Sequence, residues 1–280
     1  MASELRTRFE NFLILNRLSK RTIDSYIRFV ADLAKYTKHP PDVLPDEQIQ
    51  HYLLHLLKER KLKWSTCNVA FSALYCFYAK FLKRPHTDFS IPPRPQSRRL
   101  PEVLSQKQVK KLFDNCKNVR DRALLMLTYG SGLRVGEVVK LKPQHIESDR
   151  MLVRVEQGKG RKDRYTLLSQ TALEELRTYW KMHGQSQWLF YGHHKPYHMS
   201  ISGAQRIYYR VKKASGITTG KGIHTLRHCF ATHLLEQGID IYHIKRFLGH
   251  VSIQTTLIYL HVVPDRMTQI TSPLDKIQNI

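Results

Sequence analysis

The amino-acid sequence predicts a mainly α-helical protein with one small β-sheet, arranged as an all-helical N-terminal domain followed by a mixed α/β domain. Three observations predict this fold class. Apolar side chains recur at helical spacing over the first ninety residues, a proline-rich segment then breaks the pattern, and short β-like runs occur only after the break. A chain of 280 residues is long enough for two domains with a separate core in each.

Four apolar stripes predict four helices in residues 1–90. Ser19 can cap the second helix, and Pro40, Pro41 and Pro45 separate the second helix from the third. The lysines and arginines outside the stripes form a polar face, which either only keeps the domain in solution or also contacts a polyanion. The stripes are, in chain order, Leu5, Phe9, Phe12 and Leu13; Ile23, Ile27, Val30 and Ala34; Ile49, Leu53, Leu56 and Leu57; and Trp64, Phe71, Leu74, Phe77, Tyr78 and Leu82.

Residues 91–101 read IPPRPQSRRLP and predict a linker. Prolines have no N–H to donate, so neither a helix nor a sheet ladder can continue through this segment. Its arginines, Arg94, Arg98 and Arg99, are expected to be exposed. An extended cationic segment suits contact with a nucleic-acid backbone, and a plain spacer is the alternative.

Residues 102–280 predict the mixed domain. Helical patterns cover residues 105–115 and 120–129. The runs MLVRV at 151–155 and YTLL at 165–168 predict two strands joined by the glycine-containing turn EQGKGRKDR. The pattern after residue 170 is mainly helical again.

The charge of the chain indicates its partner. Lys and Arg total 46 against 23 Asp and Glu, a formal net charge of +23 spread over both halves. Such a chain repels itself unless a polyanion neutralises it, which favours nucleic acid over a membrane surface. The sequence shows no apolar run long enough to span a bilayer and no apolar signal core at its start, so we expect a cytoplasmic protein, bound to the nucleoid when on DNA.

The cysteines and a histidine cluster predict no metal site. Cys67, Cys76, Cys116 and Cys229 stand singly within apolar patterns, which favours reduced core residues, with a reactive Cys229 as the alternative. The cluster at His193, His194 and His198 has a spacing that fits no closed tetrahedral set.

Two basic motifs precede the last hundred residues. In GSGLRVGE, a glycine-containing loop presents Arg134 at the start of a helix, and Glu137 can support the guanidinium from one turn later. An ordinary surface salt bridge is the alternative. In GKGRKDR, glycines on both sides place Lys159 at the tip of a turn with Arg161, Lys162 and Arg164 beside it, where it can reach a phosphate or be merely part of a basic turn.

A third motif, GIHTLRHCFATHLLEQG, predicts a helix that ends at Gly238 and presents His224 and Arg227 together on its first turn. A helix N-terminus already attracts anions, so these two side chains predict a phosphate site, with a capping histidine as the alternative for His224 alone. His250 follows the next helix, and Tyr259 comes nine residues later. A lone tyrosine in such an apolar setting is more often part of the core than a nucleophile.

The ordered set Arg134, Lys159, His224, Arg227, His250 and Tyr259 resembles the tyrosine recombinase family, also called phage-type integrases. GLRVGE, GKGRKDR, HTLRHCFATHLLEQG, LGH and TTLIYLH match the family pattern in content and order, and the resemblance covers essentially the whole chain. It implies a helical, SAM-like core-binding domain at 1–90, a basic linker at 91–101 and an α/β catalytic domain with a C-terminal tail at 102–280. The two domains are then expected to enclose DNA as a C.

The resemblance implies a site-specific recombinase that cleaves and rejoins DNA through a 3′-phosphotyrosyl bond. Double-stranded DNA with inverted half-sites would be the partner, bound by a dimer per site and a tetramer in synapsis. The phosphotyrosyl bond keeps the energy of the phosphodiester, so no cofactor is expected. Further DNA contacts are assigned to Arg94, Arg98, Arg99, Arg161, Lys162 and Arg164.

The implied roles agree with the chemistry of phosphoryl transfer. Arg134 and Arg227 neutralise the non-bridging oxygens, with a hydrogen bond from His250. Tyr259 attacks, His224 accepts or relays its proton, and Lys159 protonates the departing 5′ oxygen.

Two other functions compete with recombination. A type IB topoisomerase would relax DNA with a related site, and a DNA-binding factor without catalysis would not need the complete residue set. Among recombinases, the ending TSPLD at 271–275 and VLSQKQV near residue 103 resemble integron integrases. The short run between Trp188 and His224 lacks their added segment, which argues against capture of folded single-stranded gene-cassette sites. A mobile-element integrase or transposon resolvase is the preferred interpretation, followed by a chromosome-dimer recombinase.

Overall fold

The computed structural model describes residues 3–94, 101–156, 163–184, 186–192 and 196–260. The chain divides into two compact units, Met1–Arg98 and Arg99–Ile280. The described residues form these elements: α1 (Ser3–Leu15), α2 (Lys20–Thr37), α3 (Asp46–Lys58), α4 (Trp64–Tyr75), α5 (Gln106–Asp114), α6 (Val119–Gly130), α7 (Val135–Val138), β1 (Ile146–Glu147), β2 (Leu152–Val155), β3 (Arg164–Leu167), α8 (Gln170–His183), α9 (Ile201–Ala214), α10 (His224–Glu236), α11 (Ile241–Leu248) and α12 (Gln254–Leu257). The predicted fold class, mainly helical with a small sheet, is confirmed.

The N-terminal unit is the predicted helical domain. Ser19 caps α2 by accepting a hydrogen bond from the Thr22 N–H at 3.3 Å. Helix α4 continues into a wider π-helical turn at Cys76–Phe81, which carries the last part of the predicted fourth stripe. Members of all four stripes are buried in one core: Phe9, Leu13, Ile23, Ile27, Val30, Ile49, Leu53, Leu56, Leu74, Phe77 and Tyr78.

Arg84 ties the end of this unit to the loop before α3. Its guanidinium donates to the carbonyl oxygens of Leu44 at 2.7 Å and Asp42 at 2.8 Å, and it pairs with Asp46 at 3.4 Å. It also lies over the ring of Tyr78, 4.3 Å from the centroid. One guanidinium therefore satisfies two backbone acceptors and balances one carboxylate.

The second unit packs helices around a three-stranded antiparallel sheet in the order β1-β2-β3. Ser105 and Gln108 form a capping box at the start of α5, and Asn118 caps α6. The two predicted strands correspond to β2 and β3. The third, β1, has only two residues, too few for an alternation to be visible in the sequence.

All four cysteines are buried and unbonded to one another. The Cys229 thiol accepts a hydrogen bond from the Leu104 N–H at 3.2 Å. Burial raises the pKa of Cys116 and of Cys229 to about 11. They are core residues, as predicted.

Within the described ranges, no helix has the length and apolar character needed to cross a membrane.

Candidate active site

Gly132 sets the path of the chain into the first predicted motif. It has a φ of +59°, and a Cβ there would lie 2.3 Å from a ring carbon of Phe230 on α10. Glycine is therefore required both by its backbone conformation and by the close approach of the aromatic ring. Arg134 follows as the N-terminal flanking residue of the short helix α7.

Glu137 is the centre of a cluster of arginines. Its carboxylate accepts from the Arg134 N–H and guanidinium, both at 2.8 Å, and from Arg164 through two bonds of 2.8 Å. Arg227 lies 3.8 Å away. Burial would raise the pKa of Glu137, but the hydrogen bonds and charges of Arg164 and Arg134 lower it to about 2. Three cations surround one anion, so the cluster keeps a surplus of positive charge.

Arg227 is held by backbone carbonyls. Its side chain, only 3 % exposed, donates to the carbonyl oxygens of Gly132 and Leu248, each at 2.7 Å. Burial, and then the charge of Arg134, lowers its pKa to about 9, so it remains charged at neutral pH. Because Gly132 and Leu248 come from separate segments, the guanidinium is fixed in place before any ligand binds.

His250 contacts the same guanidinium. Its Nε2 lies 3.1 Å from Arg227, and its Nδ1 lies 2.9 Å from the buried hydroxyl of Thr256. A guanidinium can only donate, so Nε2 is the acceptor and Nδ1 carries the proton. Burial, together with the charges of Arg227 and Arg134, lowers the pKa of His250 to about 3. The imidazole is therefore neutral, with its tautomer set by its two partners.

Tyr259 lies 2 % exposed in a small core cluster with Phe230, Ala231, Leu235, Ile244 and Leu248. Its hydroxyl is 3.1 Å from Nδ1 of His228. Burial raises its pKa to about 12, although the charges of Arg227 and Arg134 act in the opposite direction. The tyrosine is thus protonated at neutral pH and its hydroxyl is already hydrogen-bonded.

His224 and His228 occupy successive turns of α10. Their rings meet edge to face with centroids 5.9 Å apart, and the His228 ring lies 5.9 Å from that of Tyr259. Desolvation, and then neighbouring positive charge, lowers the pKa of both histidines, that of His228 to about 4. His228 was not among the predicted site residues. Its spacing of four from His224 places both on one helix face and is the sequence feature that could have indicated it.

The structure brings the predicted residues Arg134, Glu137, His224, Arg227, His250 and Tyr259 into one region of the second unit. It corrects the expectation for Arg164, which was predicted to contact DNA from the basic turn beside Lys159. Arg164 begins β3, its side chain is 9 % exposed, and it pairs with Glu137 while donating to the Phe247 carbonyl at 2.9 Å. Three of its N–H groups donate within the protein, so it organises the cluster.

Of the remaining residues that were predicted to act on DNA, Arg94 is among the described residues. Arg94 is exposed on the N-terminal unit, 6.0 Å from the ring of Trp64, whose indole N–H donates to the Pro92 carbonyl. The other predicted residues lie outside the described residues: Arg98, Arg99, Lys159, Arg161 and Lys162.

Within the described part of the chain, no group of three or more metal-binding side chains occurs. Of the histidine cluster, His198 is described, and its Nδ1 lies 2.7 Å from the Met199 carbonyl. His193 and His194 lie outside the described residues.

Comparisons with known proteins show the family of the chain. Residues 102–266 match the model of the phage integrase family, and residues 5–88 match that of the phage integrase N-terminal SAM-like domain. A putative integrase/recombinase of Sinorhizobium fredii is 36 % identical over 274 residues, covering 97 % of this chain and 88 % of the relative. The tyrosine recombinase XerA of Pyrococcus horikoshii is 32 % identical, covering 99 % and 96 %.

Solved structures show the same fold. XerH bound to a palindromic difH substrate, in a post-cleavage complex, has a TM-score of 0.71 at 20 % identity, covering 88 % of this chain and 78 % of that one. A lambda integrase dimer bound to a core site has a TM-score of 0.70 at 19 % identity, covering 91 % and 94 %.

Proposed function

The chain belongs to the phage integrase family and is a tyrosine recombinase that breaks and rejoins DNA at specific sites; we propose that it does so with Tyr259 as the nucleophile, through a 3′-phosphotyrosyl intermediate. One observation carries this assignment. The Tyr259 hydroxyl belongs to the same cluster as Arg227, His228 and His250, beside a carboxylate outnumbered by arginines. A phosphodiester is the ligand that such a surplus of positive charge attracts.

Arg134 and Arg227 act as the electrophilic groups in this proposal. Negative charge on the non-bridging oxygens grows as the pentacoordinate transition state forms, and fixed guanidinium groups stabilise that state more than the ground state. Arg227 is held by two carbonyls, so it does not need to reorganise during the reaction. His250 is proposed to donate from Nε2 to the same oxygens once the phosphate replaces Arg227 as its partner. This requires the other tautomer, in which Nδ1 accepts a hydrogen bond from the Thr256 hydroxyl.

Proton transfer completes the reaction. Lys159 is proposed to protonate the departing 5′ oxygen, and His224 to accept or relay the proton of Tyr259. The linker arginines Arg94, Arg98 and Arg99, with Arg161 and Lys162, are proposed to contact the DNA backbone. Residues 1–90, 91–101 and 102–280 serve as core-binding domain, basic linker and catalytic domain.

We propose that protomers bind inverted half-sites of double-stranded DNA, as a dimer per site and a tetramer in synapsis. The lambda integrase dimer on a core site and XerH on a palindromic substrate support the dimer and the inverted half-sites. Residues 261–280 are proposed to dock on a neighbouring protomer, because this segment carries the apolar residues Val262, Val263, Met267, Ile270, Leu274 and Ile277. The proposed setting is a mobile element, with the enzyme acting in the cytoplasm on nucleoid DNA.

The experiment that tests the nucleophile uses a nicked suicide substrate and a denaturing gel. Wild-type protein should give a covalent protein–DNA band, and Tyr259→Phe should give none while binding DNA normally, because the change removes one oxygen and no charge. Tyr165→Phe, at an exposed tyrosine on β3, is the matched control and should react like wild type. A band from Tyr259→Phe would show that another residue is the nucleophile.

A further inference from the structure

The hydroxyl of Tyr259 points to a histidine that the family pattern of the six predicted residues does not include. His228 Nδ1 lies 3.1 Å from the Tyr259 oxygen, within hydrogen-bonding distance. The ring of His224 instead packs edge to face against the ring of His228. The contact with the reacting atom is therefore made by His228.

The direction of this hydrogen bond follows from the charges around it. His228 faces His224 and Arg227 on its own helix, Tyr259 after α12, and His250 after α11. Its burial and the neighbouring positive charge keep the ring neutral, with a pKa of about 4. Tyr259, with a pKa of about 12, holds its proton at neutral pH. A protonated phenol facing a neutral imidazole donates its hydrogen to the free lone pair at Nδ1, which leaves the ring proton on Nε2.

We propose that His228 is the catalytic residue that takes up the proton of the Tyr259 hydroxyl when Tyr259 attacks the scissile phosphate. This inference rests on the proposed role of Tyr259 as nucleophile. As the bond from the phenolic oxygen to phosphorus forms, the O–H bond breaks and the proton moves to Nδ1 of His228. The bond from phosphorus to the 5′ oxygen breaks, and that oxygen receives a proton from Lys159. Rejoining reverses each transfer.

Of the two roles proposed for His224, accepting or relaying the proton of Tyr259, this leaves the relay. His224 begins α10, is exposed to solvent, and shares the face of the helix on which Arg227 and His228 lie. A histidine there can hold a non-bridging oxygen or pass the proton from His228 to solvent. The two histidines act in series, with His228 next to the nucleophile.

Two substitutions separate proton uptake from simple positioning. In His228→Asn the amide oxygen can stand near the place of Nδ1 and accept the hydrogen bond, but it cannot take up the proton. In His228→Phe both abilities are lost while the ring shape stays. Single-turnover formation of the covalent adduct is measured at saturating DNA from about pH 6 to 9, with thermal unfolding and DNA affinity measured alongside.

We expect both variants to form the adduct roughly 10²- to 10⁴-fold more slowly than wild type near neutral pH. Their rates should rise about tenfold per pH unit, because hydroxide replaces the missing base, whereas the wild-type rate should stay nearly flat. If His228→Asn reacts at the wild-type rate with a flat profile, His228 only positions the tyrosine and the proposal is overturned.

The control variant is His233→Asn on the same helix. His233 contacts the Tyr129 hydroxyl at 2.8 Å and the Leu104 carbonyl at 3.0 Å, away from the nucleophile. Its substitution should lower the melting temperature but leave the pH profile flat. A steep profile in this control would show that loosening α10 alone produces the effect, and it would overturn the assignment to His228.

A substrate with sulfur in place of the 5′ oxygen supplies a second readout. Sulfur departs without being protonated, so it should restore Lys159→Ala and leave both His228 variants slow. Recovery of His228→Asn on this substrate would assign it to the leaving group and contradict the proposal. Failure of Tyr259 as nucleophile is recognised separately, by an adduct that persists in Tyr259→Phe.

Discussion

The two units differ in the number of arginines that surround a partly buried carboxylate. In the N-terminal unit, Arg84 satisfies two carbonyls and pairs with Asp46, one cation for one anion. In the second unit, Arg134, Arg164 and Arg227 surround Glu137 alone. Balanced charge holds a fold together, whereas the surplus at Glu137 costs free energy unless an anion binds. The difference agrees with the proposal that the Glu137 cluster binds a phosphate, whereas the Arg84 contacts serve stability.

Among the substitutions considered, that of Lys159 is expected to have the largest effect on the cleavage rate. If it is the proton donor, Lys159→Ala should bind DNA almost normally, because Arg161 and Lys162 remain, but cleave roughly 10²- to 10⁴-fold more slowly. Cleavage of the substrate with a 5′ sulfur should recover to nearly the wild-type rate. Rescue of Lys162→Ala instead of Lys159→Ala would assign the role to Lys162.

Substitution of Arg227 removes one of the three cations around Glu137 and so tests the role of the surplus positive charge. Arg227→Ala should reduce the rate of adduct formation by about 10²- to 10³-fold at saturating DNA, as expected for loss of one fixed transition-state donor. It should also melt earlier, because the Gly132 and Leu248 carbonyls lose their donor. The sulfur substrate should not restore its rate. A variant that recovers with sulfur would show that Arg227 acts on the leaving group.

The pH dependence of stability tests the contribution of Glu137, the single anion of the cluster. Its pKa falls from an unfolded value of about 4.3 to about 2 in the fold. A lowered folded pKa stabilises the protein fully above the unfolded value, and the contribution disappears as pH falls through about 2.

Glu137→Gln should therefore lower the free energy of unfolding at pH 7 by roughly 3 kcal/mol, the shift multiplied by the value of one pKa unit. The difference from wild type should shrink as the pH approaches about 2. Denaturant titrations at several pH values measure this. A difference that stays constant with pH would mean that Glu137 stabilises by packing alone.

Substitution of Arg84 is expected to have the smallest effect, and to change stability but not the cleavage rate. Arg84→Met keeps contact with Tyr78 but removes the ion pair and two hydrogen bonds, so unfolding of the N-terminal unit should cost about 1–3 kcal/mol less. The cleavage rate at saturating DNA should not change. A slower chemical step in this variant would break the distinction between the two clusters.

The sequence predicted local structure wherever a short-range rule applied. Ser19 caps α2, and Gly238, with a φ of +97°, follows the end of α10, both as predicted. Each of these depends on contacts within a few residues. The family pattern likewise predicted residues that the structure brings together.

The pattern did not predict what long-range contacts decide. His228 and Tyr259 are 31 residues apart, and only the packing of α10 beside the chain after α12 joins them. Arg164 follows a basic turn in sequence, but pairing of β3 with β2 and the approach of α7 direct it to Glu137, 27 residues away. Thr256 orients His250 from a short helix with no strong pattern of its own.

The burial of the four cysteines makes this protein convenient for site-directed labelling. Maleimides react with thiolates, and burial raises the pKa of every native thiol: Cys67, Cys76, Cys116 and Cys229. A cysteine introduced on an exposed surface should therefore take up a fluorophore much faster than the native ones, without a cysteine-free background. One dye on each unit would show, as a change of energy transfer in single molecules, whether the distance between the two units changes when DNA is added.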